Sequence, residues 1–375
     1  MKSAKKTTHI ALGLFSFIAI VFILYVLKPF IIPLFIAIIL SVMIFPVQRI
    51  MEKRWRFSRL LATIVSLSLL MFSASILMFL IFNQMSVFVD KSDTYIEKIS
   101  QLYYKTVLYF DANFGLKQNN LISQNDLKVE NIIKGNFNQI SNFISQSGSL
   151  LGDLIVIPIY IFFFLYYRVF FRTFVYKLFR SQSKSDINVI LRKIYQVQQN
   201  YLSGLTKVII IVGLMNSVGL LLLGIENAFF FGFFAAFLLL IPYIGIIIGS
   251  ILPALFALAT KDSIWYSIGV IGIFWFIQFL EGNFITPKIT GSKVSINAFI
   301  AITSLLLFSM LWGTAGMILA LPVTATLKIL FDHIPGFEAY GFLIGEPVDK
   351  HLKDRGMLRL KLWKKIRSQK AALHS

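Results

Sequence analysis

The sequence predicts an all-α polytopic membrane protein with about eight membrane segments, and three observations lead to this prediction. Hydrophobic residues make up 57% of the 375 residues and charged residues only 14%, whereas soluble domains carry about 25% charged residues. Apolar runs long enough to cross a bilayer recur along the chain. Two further apolar runs are interrupted by glycine and proline, which is typical of broken or re-entrant membrane helices.

The charge distribution indicates a lipid bilayer, and not a nucleic acid, as the main partner. The formal net charge is +19, but the basic residues lie in short segments between apolar runs. This arrangement is the positive-inside pattern of membrane proteins, and it attracts anionic lipid headgroups. We therefore expect a multi-pass protein of the cytoplasmic (inner) membrane with both termini in the cytoplasm.

The residue inventory argues against an enzyme and against a bound metal or cofactor. The chain has no cysteine and only four histidines, which lie near the two ends of the chain. The predicted spans contain no His/Glu cluster and no Ser–His pairing of the kind that catalysis requires. The sequence also lacks a Gly-x-x-x-x-Gly-Lys-Ser/Thr phosphate loop, so transport would be passive or driven by an ion gradient.

The N-terminal part contains three predicted transmembrane helices in residues 10–82, after a short basic segment, residues 1–9, that we expect in the cytoplasm. The first two helices are joined by a tight turn at Lys28-Pro29, and Pro46 marks the end of the second. Basic residues follow, which predicts a cytoplasmic loop. The third span covers about residues 60–82.

Residues 83–148 form the long hydrophilic stretch between membrane segments. Their acidic and basic residues balance, which is typical of the outer side. Apolar residues at helical spacing predict an extracytoplasmic helical segment. We expect it to pack against itself or against a neighbouring subunit of a homo-oligomer, and a ligand-capturing domain is the alternative.

The C-terminal part, residues 149–330, is predicted to complete the transmembrane bundle. A basic cytoplasmic loop covers residues 168–205, and its later part, residues 187–205, is predicted to form an amphipathic helix at the membrane surface. A polar linker is expected at residues 281–293, and residues 331–375 form a basic cytoplasmic tail. The uninterrupted spans of this part are predicted at residues 150–167, 206–223 and 263–280.

The two interrupted runs cover residues 228–260 and 297–330. As a straight helix, each would reach about 50 Å, well beyond a hydrocarbon core of about 30 Å. Each run is therefore either one interrupted span or a re-entrant hairpin. Because both ends of the chain are expected in the cytoplasm, the number of crossings requires that both runs adopt the same solution. The side of the membrane on which Lys261 lies distinguishes the two models.

Three motifs follow one another in the C-terminal half. They are Ile-Pro-Tyr-Ile-Gly with Gly249 and Pro253, then Glu281-Gly-Asn-Phe-Ile-Thr-Pro-Lys, then Trp312-Gly-Thr-Ala-Gly-Met-Ile-Leu-Ala-Leu-Pro. In this order they resemble the autoinducer-2 exporter family of PerM-type permeases, and the resemblance extends over residues 10–330. Where the family commonly carries a His-Pro pair, this chain has Asn297-Ala298.

This resemblance implies a transporter with about eight membrane segments. Members of the family are credited with exporting a small quorum-sensing furanone, autoinducer-2, or with exchanging sodium or lithium for protons. The polar neutral residues of the central spans favour a neutral or weakly polar solute over a tightly bound cation. A membrane protein with a structural or assembly role, without transport, is the alternative from a different class.

The candidate pathway residues come from the interrupted runs, the linker and the polar positions of neighbouring spans. The glycines could instead serve only close helix packing, and the prolines only kinks. The candidates are Asn216, Pro242, Tyr243, Gly245, Gly249, Pro253, Gln278, Glu281, Asn283, Pro287, Lys288, Gly313, Gly316 and Pro322. An ion-coupled mechanism needs a titratable group in the membrane, and the candidates for that role are Asp153, Asp262 and Glu281.

Overall fold

The protein is a bundle of membrane helices. The computed structural model describes residues 2–90, 97, 98, 101, 105, 151–180, 182–241, 244–289 and 296–346. The predicted extracytoplasmic segment, residues 83–148, lies largely outside the described residues, as does the tail beyond residue 346. The α-helices are α1 (Lys2–Val26), α2 (Lys28–Lys53), α3 (Arg59–Asp90), α4 (Leu151–Tyr166), α5 (Arg168–Leu178), α6 (Lys184–Leu222), α7 (Ala228–Leu238), α8 (Ile244–Thr260), α9 (Ile264–Leu280), α10 (Thr286–Ile289), α11 (Ala298–Phe331) and α12 (Glu338–Ile344).

Helix length and composition confirm the all-α polytopic fold class. Among the described residues, five helices are long and apolar enough to cross a membrane, and the bent pair α4–α5 would add a sixth. Large apolar side chains such as Phe15, Phe72 and Phe79 are exposed on the outer faces of these helices. A continuous apolar surface of this kind is expected where helices contact lipid.

The helices α1 and α2 meet at the predicted turn, because α1 ends at Val26 and α2 begins at Lys28 with Pro29 in its first turn. The predicted end of the second span at Pro46 is wrong, since α2 continues to Lys53. Packing against α3 extends the helix beyond the proline: Gln48 donates to Thr63 Oγ1 at 2.8 Å. A single proline removes one backbone donor, and these contacts outweigh that loss.

The basic segment between the fourth and fifth spans is helical and is not a loop. Helices α4 and α5 meet at an angle of 73°, and Arg168 at this bend forms a 2.6 Å ion pair with Glu52 of α2. Ser183 accepts a hydrogen bond from the backbone N–H of Asp186 and caps α6. The predicted separate surface helix at residues 187–205 is wrong, because α6 runs without a break for 39 residues, or about 58 Å.

The first interrupted run is a helical hairpin, which we call hairpin A (α7 and α8). The phenyl rings of Phe231 and Phe256 lie 5.1 Å apart, and a Cβ placed on Gly249 would lie 2.8 Å from the Cβ of Ala235. Residues near the start of α7 therefore contact residues near the end of α8, and later residues of α7 contact earlier residues of α8, as in an antiparallel pair. The arms contain 11 and 17 residues and reach about 16 and 26 Å, so neither crosses a core of about 30 Å.

The second interrupted run is also a hairpin, which we call hairpin B (residues 298–312 and 314–331 of α11). Gly313 has non-helical angles, with φ of 63° and ψ of −141°. A Cβ on Gly316 would collide with the carbonyl oxygen of Phe308, although eight residues of straight helix separate backbone atoms by about 12 Å. The chain therefore reverses its direction at Gly313.

Contacts at the base of hairpin B, where α11 begins and ends, confirm this reversal. The backbone N–H of Asn297 donates to the carbonyl of Ile344 at 3.0 Å. A Cβ on Gly345, the next residue, would lie 3.3 Å from the Cε of Lys328. The two ends of α11 are thus neighbours, whereas a straight helix of this length would separate them by about 50 Å. Both interrupted runs therefore adopt the hairpin solution.

The two hairpins point in opposite directions along α6. In hairpin A, Gly232 packs against Ser217, and further along the same arm Ala236 packs with Val208, so the tip points to the N-terminal end of α6. In hairpin B, Pro322 contacts Gln198, whereas His333 beyond the base contacts Lys193. The tip of hairpin B therefore points to the C-terminal end of α6.

The predicted polar linker at residues 281–293 is helical where it is described. A π-helical turn, Glu281–Ile285, follows α9 directly and leads into α10. The backbone N–H of Thr286 donates to the carbonyl of Glu281, five residues earlier. The resulting helix extends from Ile264 to Ile289 without a break. Such π-turns inside helices are frequent at functional sites.

The hairpin arrangement predicts which turns lie on the same side of the membrane. A Cβ on Gly224 would lie 3.6 Å from the Nζ of Lys261. The turn before α7 and the turn after α8 are therefore neighbours. Because the native chain has no cysteine, single cysteines at Glu226, Lys261 and Lys288 can be labelled without background. We expect an impermeant maleimide to label Glu226→Cys and Lys261→Cys from one side, and Lys288→Cys from the other.

This labelling experiment can contradict the fold. If Lys261→Cys were labelled from the side opposite to Glu226→Cys, with Lys288→Cys on the same side as Glu226→Cys, each interrupted run would be a single span.

The close contact within hairpin A predicts a specific sensitivity to added volume. A Cβ on Gly245 would collide with the carbonyl oxygen of Leu238, whereas a Cβ on Gly272 of α9 has no heavy atom within 4 Å. We expect Gly245→Ala to lower the free energy of unfolding by about 1–3 kcal/mol. Gly272→Ala should leave it unchanged or raise it slightly, because alanine favours a helix. Thermal unfolding in detergent measures both, and equal stability of the two variants would refute the close approach.

Candidate functional site

A polar cluster surrounds Glu281 at the point where α9 passes into the π-turn. The side-chain amide of Gln278 donates to Glu281 Oε2 at 2.6 Å, and the hydroxyl of Thr286 donates to Glu281 Oε1. The π-turn brings these groups together, because the extra residue in the turn rotates Thr286 towards the carboxylate. Glu281 is thus an acidic group inside a membrane helix with both oxygens hydrogen-bonded, and such residues are candidates for functional sites.

The end of hairpin A lies beside this cluster. Val208 and Val212 of α6 form one apolar core with Ala236 and Ile277, and Leu239, Ile285 and Ile289 pack against it. Leu239 follows the last residue of α7, and Ile285 and Ile289 flank Thr286. The tertiary structure therefore brings two separate sequence motifs, the hairpin tip and the Glu281 segment, to the same level of α6.

The tip itself includes Pro242 and Tyr243, which lie outside the described residues. The glycines next to the tip serve close packing: Gly245 approaches the backbone of Leu238, and Gly249 approaches Ala235. Pro253 is fully buried within α8. The packing role of these glycines, which the sequence left open, is therefore observed, and it is what allows two arms to fold against each other.

Hairpin B is held to α6 by hydrogen bonds from a buried amide. Gln198 Nε2 donates to the carbonyl of Pro322 at 2.7 Å and to Thr326 Oγ1 at 2.9 Å. The Oε1 atom of Gln198 is buried without a hydrogen-bond partner among the described residues. A buried acceptor of this kind can receive a hydrogen bond from a water molecule or a polar solute.

The tip of hairpin B contacts the first two helices. Trp312 Nε1 donates to the carbonyl of Leu24 near the end of α1 at 3.0 Å, and its ring lies 5.8 Å from that of Phe35 of α2. Gly313 is exposed and has the positive φ that glycine tolerates best. Gly316 packs against Phe308 inside the hairpin.

The remaining candidates are distributed over the surface and the core. Asn216 is buried within α6, one residue before Ser217, which packs against Gly232 of hairpin A. Asp262 lies in the exposed turn between α8 and α9, far along the chain from the Glu281 cluster. Asp153 lies in the first turn of α4, and its side chain is outside the described residues. The linker candidates Asn283, Pro287 and Lys288 are exposed.

Sequence reasoning missed Gln198 and the contact of α6 with hairpin A. The signal for the second was present: Gly213 and Ser217 are small residues four positions apart, a spacing that allows close helix approach, and both face hairpin A. No local pattern identifies Gln198, because its partners lie more than a hundred residues away. Asn297, at the departure from the family's His-Pro pair, caps α11 by accepting from the Ile300 N–H at 2.9 Å.

The described residues contain no group of three or more histidine, cysteine or acidic side chains that could hold a metal ion. Two oppositely directed hairpins on one long helix, with polar groups beside them, instead define a class of membrane protein with broken helices, an arrangement found in many transporters.

The chain belongs to the AI-2E transporter family, whose family model matches residues 14–336. This finding confirms the predicted family, whose description is that of a transporter.

Several similar proteins are named as transport proteins. The chain is 31% identical over 146 residues to the putative transport protein YrrI of Bacillus subtilis, covering 39% of this chain and 41% of that protein. It is 27% identical over 147 residues to the AI-2 transport protein TqsA of Escherichia coli, covering 39% and 42%. These two matches thus span about two fifths of the relative's length. The putative transport protein YueF of Bacillus subtilis is 24% identical over 325 residues, covering 83% and 87%.

The Gln198 contacts predict a role in holding hairpin B to α6. Replacing Gln198 by Met removes both donated hydrogen bonds at nearly constant volume. We expect Gln198→Met to lower the free energy of unfolding by about 1–2 kcal/mol and to increase hydrogen exchange in residues 314–331. Gln196→Met, at an exposed position on the same helix, is the control and should change neither. A loss of stability in both variants alike would show that the effect is not specific to these bonds.

Proposed function

We propose that this protein moves a small neutral or weakly polar solute across the cytoplasmic membrane, along α6 between the tips of hairpin A and hairpin B. The observation that carries the proposal is the opposite direction of the two hairpins on one helix. Each hairpin interrupts a helix at membrane depth, and irregular backbone at that depth is tolerated where it is buried in protein or lines a cavity. Paired breaks of this kind form the substrate sites of many transporters.

The basic residues support one orientation of the protein in the membrane. The segments at residues 54–58 and 168–184 are rich in arginine and lysine, which supports a cytoplasmic position for them and for the N-terminal end of α6. In this orientation hairpin A opens to the outside and hairpin B opens to the cytoplasm. Both chain termini are then cytoplasmic, and a solute would pass from the base of one hairpin to that of the other.

The polar groups near the proposed path favour a neutral solute. Among the described residues, Asn216 and Thr324 are buried, and the carboxylate of Glu281 is occupied by Gln278 and Thr286. Hydroxyl and amide groups match the hydrogen-bonding groups of a small polyol or furanone. The similarity to TqsA, the AI-2 transport protein of Escherichia coli, supports an autoinducer-2-like solute, exported from the cytoplasm.

The second candidate function is sodium(lithium)–proton exchange, and the observation in its favour is Glu281. It is an acidic side chain within the helix that extends from Ile264 to Ile289, and proton-coupled transporters use such groups. Asp262 lies in an exposed turn, whereas ion-coupled transport needs a titratable group within the membrane. Glu281 is accordingly the residue on which the exchange hypothesis depends.

Flux from proteoliposomes tests the proposal. Vesicles containing the purified protein are loaded with autoinducer-2, and its efflux is followed. We expect Gly316→Leu to reduce efflux at least about tenfold, because any side chain there forces apart the arms of hairpin B and distorts the path. Gly272→Leu, at a position with open space around it, is the matched control and should retain efflux. Efflux unaffected by Gly316→Leu and Gly245→Leu would favour a structural or assembly role.

Glu281→Gln separates the two transport candidates in the same vesicles. This substitution keeps the shape of the side chain and removes its charge. In the proposed mechanism it leaves solute efflux largely intact, with no sodium-dependent proton movement in either protein. Sodium-dependent proton movement that occurs in the native protein and is lost in Glu281→Gln would overturn the neutral-solute proposal and support exchange.

A further inference from the structure

A separate polar pocket lies between the N-terminal half of α6 and the base of hairpin B. Its volume is about 270 Å³, which is large enough for several water molecules or a small ion. It lies at the end of α6 that carries the basic segments. The lining residues of the two elements are Lys193, Gln196, Val197 and Asn200 on α6, and Ala325, Lys328, Ile329, Asp332 and His333 at the end of α11.

His333 has a hydrogen-bond contact at each of its two ring nitrogens. Its Nδ1 atom lies 2.7 Å from the carbonyl oxygen of Ile329, and an acceptor at that distance requires Nδ1 to carry a proton. Its Nε2 atom lies 3.1 Å from the Nζ of Lys193. An ammonium group has donors only, so Nε2 must be the acceptor. The two contacts together are satisfied by the neutral imidazole with its proton on Nδ1.

Protonation of His333 would place two cations at this contact. Histidine is the side chain whose ordinary titration falls between about pH 5 and 8. Of the other charges that line the pocket, Lys328 and Asp332 form a 2.6 Å ion pair and offset each other. Glu338, at the start of α12, accepts from the N–H of Gly336 at 2.9 Å. The net charge of the lining side chains therefore changes from about one to about two positive charges when His333 is protonated.

We propose that this pocket binds a small oxyanion of the phosphate or sulfate type, and that protonation of His333 strengthens the binding. An oxyanion accepts hydrogen bonds only, and the pocket offers donors on Lys193, Lys328 and the amide of Asn200. Charge-assisted hydrogen bonds of this kind are the strong ones. The anion would also offset the repulsion between Lys193 and protonated His333 by accepting a hydrogen bond from each. This site shares no residue with the hairpin tips or the Glu281 cluster, and it lies at the base of hairpin B, where the proposed path ends.

Sulfate is the probe of choice, because it keeps the same charge at every pH of the experiment, unlike phosphate. Binding of radiolabelled sulfate is measured by equilibrium dialysis with the full-length protein in phosphatidylcholine nanodiscs. We expect saturable binding that is about threefold tighter at pH 6 than at pH 8 at constant ionic strength, the size expected of one partly exposed charge. Lys193→Gln should abolish binding, and His333→Gln should retain weak binding without pH dependence.

A matched control distinguishes the pocket from the general positive charge of the protein. Lys177→Gln removes the same charge from the exposed face of α5, outside the pocket, and should bind sulfate as the native protein does. Equal binding by the native protein and Lys193→Gln would overturn the proposal, as would equal losses in Lys193→Gln and Lys177→Gln. Thermal unfolding of each variant establishes that it is folded, and the side chains of Lys177 and Lys193 are exposed.

A second arm identifies the source of the anion. The same dialysis is repeated in nanodiscs containing phosphatidylglycerol, whose phosphate would compete if the pocket holds a lipid headgroup. Displacement of sulfate by this lipid in the native protein assigns the pocket to a headgroup, and undiminished sulfate binding assigns it to a soluble oxyanion. Either result supports the oxyanion site, and the absence of saturable sulfate binding in both kinds of nanodisc refutes it.

Discussion

The structure depends on the length and continuity of α6. A helix of 39 residues is nearly twice as long as a bilayer crossing requires, and it offers surfaces at two levels. Hairpin A packs against its C-terminal half through Gly213 and Ser217, whereas hairpin B packs against its N-terminal half through Gln198. Because one rigid helix carries both hairpins, their relative position is defined although neither hairpin crosses the membrane.

The two interfaces with α6 rest on different interactions. At hairpin A, small residues allow the backbones to approach so closely that a Cβ on Gly213 or Gly232 would collide with the opposite helix, and dispersion between packed atoms provides the attraction. At hairpin B, hydrogen bonds from Gln198 and the contact of Lys193 with His333 connect the elements. Water or a solute can replace a hydrogen bond, whereas nothing replaces the close packing of backbones. The polar groups that could meet a solute or an ion accordingly lie at hairpin B and beside Glu281.

Much of the fold could be predicted from local sequence. Hydrophobic runs identified the spans because the bilayer sets their length, and the turn at Lys28 followed from the proline beside it. The errors share one cause. The sequence predicts a helix end at Pro46, at Leu205 and at the linker after Leu280. In the structure, the helices continue through all three positions. Contacts such as Gln48 with Thr63 stabilise helices through residues that, considered alone, disfavour them.

The sequence by itself determined the membrane class, the family motifs and the requirement that both interrupted runs adopt the same solution, because these follow from composition, order and the parity of crossings. It could not choose between spans and hairpins, since the hydropathy of a helix is the same whether it continues or folds back. Only the tertiary structure decided this, through contacts between distant residues: Gly249 with Ala235, Gly316 with Phe308, and the two ends of α11 beside each other. Such contacts depend on which surfaces pack together, and no local pattern of residues encodes that choice.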